Sequence, residues 1–307
     1  MDIGLFLEST GLPTLDEALD RAAGAGIARV ELATGGQCER PYLELDRLLT
    51  SDAARRELRA KLDGYGVRVS ALNASAFPLH PRLGPAHVAV IRGTLRLAGL
   101  LGVDRIVVQS GVGGDAAESA APNWIVYSWP PEMLDIVRRQ WDACVALWRD
   151  LAAEAAANGV TKLCFELHAL NLAHNVPTLL HMREAVGPAI GVNFDPSHFI
   201  WQGMDIPACV HAFGPAIYHV HVKDVAMHPS KLALTGVLDS RPDVSFHERP
   251  WTFCTPGFGH DAIWWREFFT ALHDVGYDDV ASIENEDPYL PGFAGVERTV
   301  GFLRQVL

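Results

Sequence analysis

KLCFELHALNLAHNVPTLLHMREAVGPAIGVNFDPSHFIWQG, residues 162–203, is the stretch that decides the fold. It opens with one short apolar run, 162–168, and carries a second at 190–195. Each has the length of a buried strand and turns polar only at its end. A longer stretch lies between them. Two strands joined by a helical crossover run parallel, because an antiparallel pair needs only a tight turn.

Working outward, the same unit recurs. Candidate strands are IGLFLE (3–8), RVELA (29–33), VRVSALN (67–73), RIVVQSG (105–111), IYHVHVKD (217–224) and VASIENE (280–286). Helical patterns fill the intervals, among them 15–26, 86–102 and 133–159, and FLRQVL closes the chain. Eight strands, each followed by a helix, predict an α/β protein with a parallel sheet covered by helices. Eight units in 307 residues predict a closed (β/α)8 TIM barrel, a single domain over 1–307. The alternative is an open doubly wound sheet, but no GxGxxG follows the first strand. Two connections are long, 111–131 and 225–259, the latter with Pro229, Pro242, Pro250 and Pro256. Both leave the C-terminal ends of strands and are expected at the barrel mouth; the other reading is a surface insertion or an oligomer contact.

Hydrophobic residues make up 49% and charged residues 20%, enough for a core and unlike a disordered chain or coiled coil. Lys plus Arg number 25 against 37 Asp plus Glu, a net charge of −12, which disfavours a nucleic-acid partner. No apolar run approaches the ~20 residues that span a bilayer, so no membrane partner is expected. The start, MDIGLFLEST, lacks a basic segment followed by an apolar one, so no secretory leader is expected. Cys38, Cys144, Cys164, Cys209 and Cys254 are odd in number and form no CxxC; reduced thiols and a cytoplasmic location follow as expectations. The expected partner is a small-molecule sugar, and a homo-oligomer stays open.

Four successive strands end in ionisable residues: Glu166 and His168, Asp195 and His198, His221 and Lys223, Glu284 and Glu286. Carboxylates gathered unpaired at one buried mouth are costly and repel one another. A divalent cation resolves that conflict, and the ligand set expected is Glu166, Asp195, His221 and Glu284. Their spacings are 29, 26 and 63 residues: one repeat, one repeat, and a repeat lengthened by 225–259. The bland alternative is salt bridges and helix caps. Three carboxylates with one imidazole favour Mn²⁺, with Mg²⁺, Co²⁺ and Zn²⁺ as alternatives. His219 shares a face with His221 and is expected in the core or behind the ligands; Glu286 is the rival of Glu284 by the same two-residue period.

FELH (165–168), NFDPSHFIWQG (193–203), HVHVKD (219–224), PGFGHDAIWW (256–265) and IENED (283–287) together make the chain resemble the xylose isomerase-like barrels. These are sugar and sugar-phosphate isomerases and epimerases, inosose dehydratases and family 2 AP endonucleases. The resemblance implies metal ligands at Glu166, Asp195, His221 and Glu284, and a substrate contact at His198. It also implies polar contacts at His168 and Lys223. Ketose 3-epimerases of this kind carry an Arg six residues after the metal His; here the position is Met227. Glu31, Asn73, Gln109 and His80 would complete a polar pocket, with Asn73 and His80 as substrate contacts.

The expected reaction is a metal-dependent isomerisation or epimerisation α to a carbonyl, through an enediolate, with Glu166 and Glu284 as the acid and base. Without a phosphate cradle, an unphosphorylated keto-sugar is the expected substrate. A dehydratase or keto-glycoside lyase shares the first step. An AP endonuclease and a non-catalytic sugar-binding barrel are further alternatives. Trp124, Trp129, Trp201, Trp251, Phe253 and Phe258 are expected in or near the mouth loops, stacking on a sugar ring or anchoring the loops.

Overall fold

The computed structural model describes residues 1–241 and 244–307; Pro242 of the long second connection lies outside them. The strands are β1 (Asp2–Phe6), β2 (Arg29–Ala33), β3 (Arg68–Asn73), β4 (Arg105–Val108), β5 (Lys162–Glu166), β6 (Ile190–Phe194) and β7 (Ile217–Val222). A ribbon of β8 (Asp224–Met227) and β9 (Trp251–Cys254) comes next, and then β10 (Val280–Ile283). β1 through β7 and β10 close a barrel in chain order, with β10 pairing β7 on one side and β1 on the other. Each barrel pairing is parallel, the arrangement that helical crossovers impose.

The helices are α1 (Leu15–Gly24), α2 (Leu45–Thr50), α3 (Asp52–Gly64), α4 (Gly84–Leu101), α5 (Glu132–Ala157) and α6 (Val176–Val186). They continue with α7 (Pro196–Ile200), α8 (Ile206–Phe213), α9 (Pro229–Thr235), α10 (Ala262–Asp274) and α11 (Phe293–Val306). Their starts are written in side chains: Thr14, Ser51, Asn175, Asp205 and Asp261 accept the free backbone N–H groups of α1, α3, α6, α8 and α10. Among the described residues, no helix is long and apolar enough to cross a membrane.

Alternation along each strand sorts the residues. Leu163, Phe165, Val192, Phe194, Val220, Val222 and Ile283 pack with Trp148, Phe199, Trp265 and Phe268 of the helices in the main apolar core. The opposite face turns into the barrel. There, Ala71, Val107, Cys164 and Tyr218 form a small separate cluster. Gly191 sits beside Tyr218, whose ring occupies the place a Cβ would need. Nearer the mouth the inward positions become polar: Glu31, Asn193, Asp195, His219, His221 and Ser282 are all buried.

The structure departs from the sequence reading at three places. Strands expected to run to Gly111, His168, Asp224 and Glu286 stop at Val108, Glu166, Val222 and Ile283, so several ionisable residues stand on the loops just past the last rung. The 225–259 connection is not a plain loop; it holds α9 and the antiparallel ribbon, with Asp224 paired to Cys254 and Met227 to Trp251. Two repeats carry two helices each, α2 with α3 and α7 with α8. The 111–131 connection, by contrast, has no helix or strand and is mostly exposed, with Gln140 holding the carbonyls of Gly113, Gly114 and Asn123.

Candidate metal centre

Four strands deliver four donors to one point. Glu166 is the last residue of β5, Asp195 follows β6, His221 lies in β7 and Glu284 follows β10. One donor atom from each falls within 4.8 Å of the others. His221 Nδ1 is 3.1 Å from Glu166 Oε1 and 3.2 Å from Glu284 Oε2. Asp195 Oδ1 accepts the Ser197 N–H at 2.9 Å, because Asp195 also caps α7, while Oδ2 faces the group.

A second carboxylate layer lies behind His221. Glu31 Oε2 is 3.0 Å from His221 Nε2 and 2.8 Å from His219 Nε2. Asn73 Nδ2 donates to Glu31 Oε1 at 2.8 Å and Ser282 Oγ to Oε2 at 3.2 Å. Burial would raise the Glu31 carboxyl, but His221 and His219 outweigh it and hold it well below the ordinary range. An ionised Glu31 only accepts, so both imidazoles place a proton on Nε2. The Nδ1 of His221 therefore meets two carboxylates across the barrel. Without a cation there, a lone pair would face two anionic oxygens; a proton satisfies one of them, and a divalent ion satisfies all four donors. The donor chemistry thus fits a hard or borderline divalent metal.

The same crowding shows in the acid–base equilibria. Burial raises Asp195 to about 7, with Glu284 and Glu166 adding to burial and Lys223 opposing it. Burial also acts to raise Glu284, but Lys223 and His221 prevail and keep it below the usual carboxylate range. Burial acts to lower His221, yet Glu31 and Glu284 hold the imidazole well above its ordinary value. His198, buried and near the Lys223 charge, is driven well below its ordinary value and is neutral.

A cavity of about 610 Å³ opens over this floor. Glu166, Glu284, His168, His198, Lys223 and Asn73 line it, together with Gln37, Gln109, Ser9 and Ser75. Gln37 Nε2 donates to Gln109 Oε1 at 2.5 Å, and Gln109 Nε2 to Glu166 Oε2 at 3.4 Å, which orients the Glu166 carboxylate. Of the aromatic residues expected at the mouth, Trp201, Trp251 and Phe253 line the cavity, and the two indoles stack 4.8 Å apart. Trp124 instead packs edge-on to His174, and Trp129 and Phe258 are exposed.

The structure does not bring His80 to the cavity. Its Nδ1 accepts the backbone N–H groups of Arg82 and Leu83 in the turn that precedes α4, so this ring braces that turn. Asn73 reaches the cavity wall, but its amide is committed to Glu31 and to the Ser75 N–H. Two residues escaped the sequence reading. Glu8, just past β1, lines the cavity with Oε2 buried and unpartnered among the described residues. Asp224 accepts from Val225, Gly257, Gly259 and His260 N–H groups, from His260 Nδ1 and from Trp265 Nε1. The signal for Asp224 was present: an Asp ending HVHVKD and a glycine-rich PGFGH turn, where Gly259 approaches so closely that a Cβ would strike the Val225 carbonyl.

Residues 19–306 match the profile of the xylose isomerase-like TIM barrel family. The chain belongs to that family. It is 37% identical over 311 residues to the uncharacterized protein YfiH of Bacillus subtilis, covering 100% of this chain and 99% of that one. Among solved structures it is similar to the IolI protein with a bound zinc atom, with a TM-score of 0.68 at 18% identity over 100% of this chain and 98% of that one. It is also similar to L-ribulose 3-epimerase, with a TM-score of 0.66 at 16% identity, covering 100% and 95%. At such identities the two structures speak for the shared fold.

Proposed function

We propose that this barrel is a metal-dependent sugar isomerase or epimerase that moves a proton at the carbon next to a carbonyl. The observation that carries the reading is the meeting of Glu166, Asp195, His221 Nδ1 and Glu284 on the floor of a cavity. These four would hold one divalent ion, with Mn²⁺ our choice from the donor set; the zinc in IolI keeps Zn²⁺ in view. Such an ion supplies Lewis-acid stabilisation of the negative charge that builds on the carbonyl oxygen as the proton leaves.

The protein's own groups do the rest. Glu166 and Glu284 reach the floor from β5 and from the far side of β7, so a substrate between them meets a carboxylate on either side. One removes the proton and the other returns it; return to the opposite face gives the epimer, and return to the neighbouring carbon gives the isomer. Gln109 restrains Glu166, and before a metal enters Lys223 holds Glu284 at 2.6 Å. His198, which is neutral, and His168 beside it offer hydrogen bonds to hydroxyls, and Trp251, Trp201 and Phe253 give an apolar wall for a ring face. Lys223 is the one cationic residue of the Lys/Arg type lining the cavity among the described residues, and three carboxylates already surround it. A phosphate would find no free partner, which supports an unphosphorylated keto-sugar. The cavity leaves room beyond a single sugar ring, and this favours, as the second reading, loss of a leaving group β to the carbonyl after the same first step.

The test is incubation of a panel of keto-sugars with the Mn²⁺-loaded protein in D₂O. Deuterium enters the α-carbon of at least one sugar, and Glu284→Gln lowers that rate by about 10²–10⁴ while the fold stays intact. No exchange and no elimination across the panel would overturn the reading.

A further inference from the structure

Lys223 is a buried cation that the donor set leaves over. Its Nζ lies 2.6 Å from Glu284 Oε2, 2.8 Å from Glu286 Oε2 and 3.0 Å from Asp195 Oδ2. The Phe253 ring lies beside it, its centroid 4.7 Å from Nζ. An ammonium has three protons to donate, and three carboxylates surround this one. Two of those carboxylates belong to the quartet. The third, Glu286, does not, and its side chain is 47% exposed at the cavity wall.

The oxygens are contested. Glu284 Oε2 is the atom that meets both His221 Nδ1, at 3.2 Å, and Lys223 Nζ, at 2.6 Å. Asp195 Oδ2 is turned to Lys223 as well. A divalent ion inside the quartet needs lone pairs on these same oxygens, and two cations in full contact with one oxygen repel each other strongly in a buried site. Glu286 is the oxygen donor to which the ammonium can withdraw without losing all its partners.

We propose that Lys223 stands in for the metal before loading, yields Asp195 and Glu284 to it while keeping Glu286, and thereby sets how tightly the site binds. The inference rests on the metal reading of the quartet. Before loading, Lys223 keeps the carboxylates together, so the donors are already in place. After loading, it stays paired with Glu286 at the cavity wall.

The experiment is a calorimetric Mn²⁺ titration of the chelator-stripped full chain as wild type, Lys223→Met and Glu286→Gln, with thermal melts of each. Methionine keeps the apolar stem and removes the charge. Lys223→Met binds Mn²⁺ at least about tenfold more tightly, and its stripped form melts lower than stripped wild type. Glu286→Gln binds several-fold more weakly, because the ammonium then has nowhere else to go. Equal or weaker binding by Lys223→Met overturns the inference. Should that variant fail to fold, Glu286→Gln decides: weaker binding supports it, and equal or tighter binding overturns it. A wild type that takes up no Mn²⁺ strikes the metal reading itself, a different result from a wild type that binds beside an unchanged Lys223→Met.

Discussion

Glu31 Oε2 lies 3.0 Å from His221 Nε2, on the side of the imidazole away from the carboxylate quartet. That contact fixes which nitrogen of His221 carries a proton and which is left for a metal. Glu31 comes from β2 and His221 from β7, so the bond crosses the barrel interior instead of following a strand pairing. A carboxylate behind a metal-bound imidazole is a recurrent way to orient the ring and raise its basicity.

Glu31→Gln keeps the shape and removes the charge. The amide offers one acceptor oxygen where two imidazole N–H groups now converge, and its NH₂ faces a donor. Mn²⁺ affinity should fall by about 10–100-fold. Calorimetry gives the affinity, and the visible spectrum of the Co²⁺-loaded form reports the ligand geometry. An unchanged affinity together with an unchanged Co²⁺ spectrum would remove Glu31 from this role.

These contacts show what a sequence can and cannot carry. Glu166, Asp195, His221 and Glu284 were legible because an ionisable residue ending a buried apolar run violates the strand's own pattern, and four such violations recur at repeat spacing. Glu31 also breaks the pattern of its strand, but its meaning depends on a distance across the barrel to residues 188 and 190 positions away. His80 looks like a pocket residue in a proline-flanked loop; nothing in ALNASAFPLHP says that its ring braces the turn before α4. The β8–β9 ribbon was hidden because each strand has four residues and the pairing skips a proline-rich insertion. Glu8 read as the end of a strand, although the chain has already turned into a short 3₁₀ segment there.

Glu8 gives the protein a pH-dependent weakness away from the metal quartet. Burial raises its carboxyl to about 7, against hydrogen bonds that act the other way, including the Tyr42 N–H to Oε1 at 3.2 Å. In the unfolded chain the group titrates at its ordinary value of 4.5. Between these values the folded state holds a proton that the unfolded state has lost, so stability falls as pH rises from about 4.5 to 7 and then levels. Glu8→Gln mimics the protonated acid and removes this contribution. Urea unfolding of the stripped protein at pH 5 and pH 8 should show wild type losing on the order of 2 kcal/mol relative to Glu8→Gln. Parallel pH profiles for the two proteins would refute this.

Asp224 is where the ribbon and the barrel are tied together. One carboxylate, buried at the start of β8, collects four backbone N–H groups, one imidazole and one indole, drawn from Val225 and from the turn and helix 257–265. The donors surround a negative charge, which strengthens each bond, and the buried Val225 N–H and Trp265 indole have no solvent to fall back on once the carboxylate is gone. Asp224→Ala should therefore cost about 3 kcal/mol or more in urea unfolding. The loss also has a functional edge. β9, which pairs with β8 from Cys254 to Trp251, brings Trp251 and Phe253 to the cavity wall. Loosening the 257–260 turn loosens that wall, whereas the quartet hangs from the barrel strands and keeps its donors. Asp224→Ala should thus retain Mn²⁺ binding within about threefold, less than one tenfold step of about 1.4 kcal/mol, while sugar binding weakens more than that. If metal and sugar affinities fell together, the ribbon would have to be regarded as part of the metal centre's support instead of a separate wall.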